Sequence, residues 1–152
     1  MRDKQSGVML LEALIAILIF SLGVLGIVGM QSSAVKANRD AKYRADAGLL
    51  ANELIGQMMS SDRTGTVLQT NFQGDDDDSK GSSVLTDGAA FLAWRQRVIE
   101  TLPGVDTNAP RVTVDPGMVG PPRTSSVVTI VVRWLPPNEP VPHSYTVVVN
   151  II

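Results

Sequence analysis

Between Val8 and Met30 the chain carries only two polar side chains, Glu12 and Ser21. As a helix this run spans about 35 Å, long enough for a hydrocarbon core of ~30 Å. Lipid offers the backbone no hydrogen-bond partner, so a single spanning segment has to be helical. The same reasoning singles out Glu12, because an ionised carboxylate in lipid loses its hydration and needs a counter-charge. The identity of that partner is the first functional question the sequence poses.

The run exceeds the apolar region of a secretory signal peptide, roughly 7–15 residues, and no A-x-A pattern closes it, which favours a retained span. Flanking charges do not orient it. Arg2 and Lys4 precede it, whereas Lys36, Arg39, Lys42 and Arg44 follow, partly offset by Asp40 and Asp46. With 152 residues in all, the remainder has room for one small domain, and a large enzyme is excluded. Formal net charge is -2 and the isoelectric point is about 5.3, so no nucleic acid is expected as a partner. The absence of cysteine removes disulfides, thiolate metal sites and thiol nucleophiles together, without fixing the compartment.

The polar leader "MRDKQS" ends in Gly7, and Glu12 is the fifth residue after that glycine, inside "VMLLEALIAILIF". This arrangement resembles the class III signal of type IV prepilins and pseudopilins. Farther on, "SLGVLGIVGMQ" followed by "KYRADAGLLANELIGQMMSS" is similar to minor pilins of the PilV type, the type IV pilus modification proteins. The similarity runs to about Ser60 and fades beyond it. It implies that a prepilin peptidase cuts between Gly7 and Val8 on the cytoplasmic side and methylates the new amine of Val8. It further implies a single-pass inner-membrane protein with its N-terminus in the cytoplasm, later a subunit of the pilus. The partners implied are the lipid bilayer, the peptidase, the inner-membrane assembly platform, the major pilin, other minor pilins and a tip adhesin; no cofactor is implied. Val8 stands where most members carry phenylalanine or methionine, and Met9 where threonine or serine is common. The family depends chiefly on the glycine.

On the same resemblance, Glu12 neutralises the N-terminal amine of a neighbouring subunit as helices dock into the filament. Helical side chains point toward the N-terminus, so a pair with the chain's own Val8 amine stays open as the local alternative. Gly23, Gly26 and Gly29 include the region where many major pilins have a kinking proline. At roughly 0.5–1 kcal/mol each relative to alanine they soften the helix, or else they admit a second helix at close range in the bilayer. A minor pilin acting in priming of assembly or at the tip has two rivals. One is a type II secretion pseudopilin, which shares the N-terminal chemistry. The other is a membrane-tethered ligand- or calcium-binding module built on Asp75 to Asp78. Carboxylates there are hard oxygen ligands, but EF-hand spacing is absent and consecutive acids repel one another in a solvated loop.

Beyond the span, Tyr43, Ala47, Leu50, Leu54 and Met58 recur at helical spacing, which carries the helix to about Ser60 with an amphipathic half from residue 31. Residues 61–86 lack periodicity and are rich in Gly, Ser and Asp, predicting a mobile surface loop. Asp87 is placed to cap a second helix, Gly88 to Leu102, whose stripe of Phe91, Trp94, Val98 and Leu102 ends at Pro103 and Gly104. Three strand patterns follow, "RVTVD", "SVVTIVVRW" and "SYTVVVNII", joined by "DPGMVGPPRTS" and "LPPNEPVPH". The expected fold class is α+β and type IV pilin-like. It comprises a leader at 1–7, a transmembrane half at 8–30, an amphipathic half at 31–60, and a domain at 61–152. In that domain about three to four antiparallel strands pack on the second half of the helix. Catalysis finds no footing, since His143 is the sole histidine and sits in a proline-rich connector without a nucleophile or a second ligand. Arg95, Arg97 and Arg133 are too scattered to argue for DNA.

Overall fold

The computed structural model describes residues 5–75, 85–117 and 125–152. In chain order its elements are α1 (Gln5–Ser60), α2 (Gly65–Phe72), α3 (Ala89–Thr101), β1 (Arg111–Asp115), β2 (Ser126–Trp134) and β3 (His143–Ile151). The chain divides into two compact units, Met1–Ala41 and Lys42–Ile152. Among the described residues every buried side chain belongs to the second unit.

The second unit follows from two periodicities. On α1, Ala47, Leu50, Ala51, Leu54 and Met58 are buried at steps of three and four, with Tyr43 and Ile55 packed partly against them. On α3, Phe91, Trp94 and Val98 form the matching stripe. Trp94 joins the two helices through its indole, whose Nε1 donates to the Leu50 carbonyl at 2.8 Å. On the strands the period is two. In β2, Val128, Ile130, Val132 and Trp134 are fully buried while Val127 faces outward. The sheet is antiparallel in the order β1-β2-β3, with an unbroken register from Ser126↔Ile151 to Trp134↔His143. One helix-faced sheet with a single shared core is an α+β layout, consistent with a pilin-like arrangement.

The turns are held by specific contacts. Gly104 adopts φ +66°, and a Cβ there would lie 2.7 Å from Leu135 Cβ, so the turn after α3 requires glycine. The Pro103 carbonyl then accepts from Leu135 N–H at 2.9 Å, fastening that turn beside the end of β2. In the β2–β3 connector, Asn138 takes the left-handed conformation with φ 67°, which asparagine tolerates.

Two expectations change. The region 61–86 is not one long loop, because Gly65–Phe72 forms α2 and buries Leu68 and Phe72. Its start is set by an Asx turn in which Asp62 Oδ1 accepts from both the backbone N–H and the hydroxyl of Thr64. Asp87 does not cap α3. The N-cap is Gly88, with no side-chain cap bond, and the Asp87 carboxylate accepts from Asp75 N–H at 3.0 Å instead. Gly88 sits against α2, its N–H donating to the Gln73 carbonyl at 2.8 Å, and this contact sets where α3 begins. On α1 the stripe named from the sequence is the one that packs: Ala47, Leu50, Leu54 and Met58 are buried and Tyr43 is partly buried against them. The sheet has three strands, within the three to four expected, and its third begins at His143, one residue before the alternating pattern. Residues 1–4 of the leader, Asp76 to Asp78, and residues 118–124 of the β1–β2 connector lie outside the described residues.

Candidate functional site

Gly7 to Met30 lie on α1 in unbroken α-helix. Every large apolar side chain of this stretch is uncovered, from Val24 at 43% to Met30 at 76% exposed. A helix apolar around its whole circumference has no single face to bury and needs lipid or other helices on all sides. α1 is long and apolar enough to cross a membrane.

The two polar side chains of the stretch behave differently. Ser21 Oγ donates to the Ile17 carbonyl at 2.7 Å, so its hydroxyl is satisfied one turn back along the same helix. Glu12 is exposed and, among the described residues, makes no hydrogen bond or ion pair. In the uncut chain the Val8 nitrogen is a helical amide and carries no charge. A cut between Gly7 and Val8 would turn it into an amine about one helical turn from Glu12, and so create the missing counter-charge.

Gly7 has open space around it, with no atom within 4 Å of a Cβ built there. Packing within this chain therefore does not require glycine at that position. Gly23, Gly26 and Gly29 are equally open, and the helix passes through all three without a break. Among the described residues no neighbour uses the space they leave.

The remaining candidates are engaged in structural contacts. Asp75 is held through its backbone by Asp87. Among the described residues no group of three or more His, Asp or Glu side chains could hold a metal ion. His143 Nε2 lies 2.7 Å from Glu139 Oε2, and its ring sits 5.8 Å from that of Trp134, which ties the β2–β3 connector to the end of the sheet. Arg97 pairs with Glu53 at 2.9 Å, linking α3 to α1, and Arg133 Nη1 donates to the Ala109 carbonyl at 3.2 Å. Sequence reasoning did not find the close approach at Gly74. Its N–H and carbonyl both bond to Val112, and a Cβ there would lie 2.2 Å from the Phe91 ring. Its only signal was a glycine before the acidic run. Comparison with protein-family models, with curated proteins and with solved structures finds no significant match to this chain.

Proposed function

We propose that this chain is a minor pilin, cut after Gly7, methylated at Val8 and held in the inner membrane by residues 8–30 with its N-terminus in the cytoplasm. From there it enters a type IV pilus, in priming of assembly or at the tip, where the major pilin and other minor pilins are its partners. One observation carries this reading. Among the described residues Glu12 is the polar side chain without a partner in an apolar stretch, Val8 to Met30, whose large side chains are all exposed, and it follows at the fifth position a glycine that packing does not require.

The mechanism follows from the two charges. After the cut, the Val8 amine is as costly in lipid as the Glu12 carboxylate, and each is the other's cheapest counter-ion. When a neighbour's Glu12 meets that amine, attraction in a low dielectric draws the helices into register. Leu, Ile, Val and Phe side chains contribute roughly 0.3–0.6 kcal/mol each to insertion, so together they outweigh a single charge that costs at most about 3. The span is thus held in the bilayer while its charge stays available for docking.

A type II secretion pseudopilus would use the same N-terminal chemistry. Two measurements separate them: recovery of the protein in sheared surface fibres supports the pilus, whereas loss of enzyme secretion with fibres intact on deletion supports the pseudopilus. Processing supplies the direct test. Gly7→Glu places a bulky charge at the cut, and we expect that variant to remain at precursor mass while wild type loses "MRDKQSG". Normal loss of the leader from the Gly7→Glu protein, read by intact-mass analysis, would overturn the prepilin reading.

A further inference from the structure

Four cations beyond the span take no part in the chemistry at Val8 and Glu12. Lys36, Arg39, Lys42 and Arg44 all lie on α1, and all four are exposed. With the N-terminus in the cytoplasm they stand on the opposite side of the membrane, where the ends of spans are not enriched in lysine and arginine. Topology therefore does not account for them, and a ligand has to.

The helix fixes how far these charges lie from the apolar run. Lys36 stands about 9 Å past Met30 and Arg39 about 14 Å, while the headgroup layer is roughly 5–8 Å thick on each side of the hydrocarbon. Helical side chains lean toward the N-terminus, here toward the bilayer, and the long stems of lysine and arginine carry their charge several ångströms that way. Lys36 and Arg39 thus reach the level of the lipid phosphates. Lys42 and Arg44 follow within the next turn and a half, and the spacing of three puts Lys36, Arg39 and Lys42 on one side of the helix. Residues 31–39 are exposed all round. Asp40 and Asp46 offset part of the charge, and Lys36 already has an interaction within the chain. An ammonium has three donors, however, and the segment keeps an excess of cations.

Farther along the chain the sign reverses. From Glu53 to Asp87 the sequence carries Glu53, Asp62, Asp75 to Asp78 and Asp87 against only Arg63 and Lys80. A negative surface attracts the first segment and repels the second, and the cations are the segment next to the span. A protein partner could be met anywhere along α1, whereas the bilayer is the one surface that the chain itself holds at a fixed distance from Lys36. We infer that residues 36–44 bind the phosphates of anionic phospholipids in the leaflet from which the span emerges, gathering such lipids around the helix. Each lysine or arginine near a membrane surface contributes to that attraction, and salt screens it. The inference rests on the span at residues 8–30, and neither on leader cleavage nor on the pilus.

The chain has no cysteine, so Asn38→Cys, exposed among these cations, carries a donor dye without background. Full-length labelled protein is placed in phosphatidylcholine vesicles with a trace of acceptor on the acyl chain of either phosphatidylglycerol or phosphatidylcholine. Energy transfer should report phosphatidylglycerol enriched roughly threefold or more over phosphatidylcholine around the helix, falling to near parity at about 1 M salt. Changing Lys36, Arg39, Lys42 and Arg44 together to glutamine, a good helix former, should also bring parity. Both chains share Arg2 and Lys4, so their difference reports the segment alone. Arg63→Gln, past the end of α1, should leave the enrichment unchanged. Equal transfer to the two lipids from the wild-type segment would overturn the inference, as would enrichment that survives the four glutamines. Equal transfer together with loss of the four-glutamine chain from sheared fibres would overturn lipid binding and assign the cations to a protein's carboxylates. Absence of transfer to either lipid would overturn the span itself, and lipid binding with it.

Discussion

Trp94 and Trp134 are both fully buried and differ in one hydrogen bond. Trp94 Nε1 donates to Leu50, whereas Trp134 Nε1 has no partner among the described residues. Losing a made hydrogen bond costs about 1 kcal/mol, while removing an unmet donor relieves a desolvation penalty of similar size. Trp94→Phe should therefore destabilise the fold more than Trp134→Phe, by about 1–2 kcal/mol in chemical denaturation; equal losses would contradict that distinction. Gly74→Ala tests the close approach. Its Cβ would overlap the Phe91 ring, which is fully buried and cannot yield freely, and overpacking of this kind costs about 1–3 kcal/mol. A melting temperature equal to wild type would refute the contact. Glu12 and the Trp94 stripe were legible from polarity and spacing alone. The Leu50 carbonyl and the Gly74 approach were not, because both are pairings between positions distant in sequence, and a single sequence carries no record of them.

Elements with a sustained period were legible to within a residue or so. The alternation of β2 and the stripe of α3 each repeat over several turns or pleats, so one deviant residue does not obscure the pattern. α2 failed that test for a physical reason: in eight residues it shows the core only Leu68 and Phe72, one pair four apart, amid threonines and glycine that read as loop. Its stability comes from packing against β1 and α3 rather than from propensity, as for most short helices. Leu68→Ala decides between the two readings. A buried leucine lost from a packed helix costs about 2–5 kcal/mol, whereas a loop residue would change stability by less than ~0.5. We expect the larger loss, measured by urea unfolding. The start of α3 was misjudged for a related reason. Asp87 has the chemistry of a cap, but Asp75 competes for its carboxylate once α2 has brought that segment alongside.

At the scale of the molecule, the division between Ala41 and Lys42 separates two solvation problems. The second unit solves its own, burying a contiguous core shared by the end of α1, α2, α3 and the inner face of the sheet. The first cannot, since none of the large apolar side chains between Val8 and Met30 is covered by the chain itself. Lipid can solvate those side chains, but it cannot neutralise Glu12, and the proposed filament supplies both apolar neighbours and an amine. Removing the carboxylate separates the two roles. Glu12→Ala should insert at least as well as wild type, because a charged group costs about 2.5–3.5 kcal/mol at the centre of a spanning helix and less, but still something, near its end. Assembly should fail, because a neighbour's Val8 amine is left without a counter-ion. The decisive measurement compares Glu12→Ala with wild type for leader cleavage, membrane content and abundance in sheared fibres. We predict a processed, membrane-resident variant that is strongly depleted from the fibres; wild-type abundance of Glu12→Ala in purified fibres would contradict a docking role for the carboxylate.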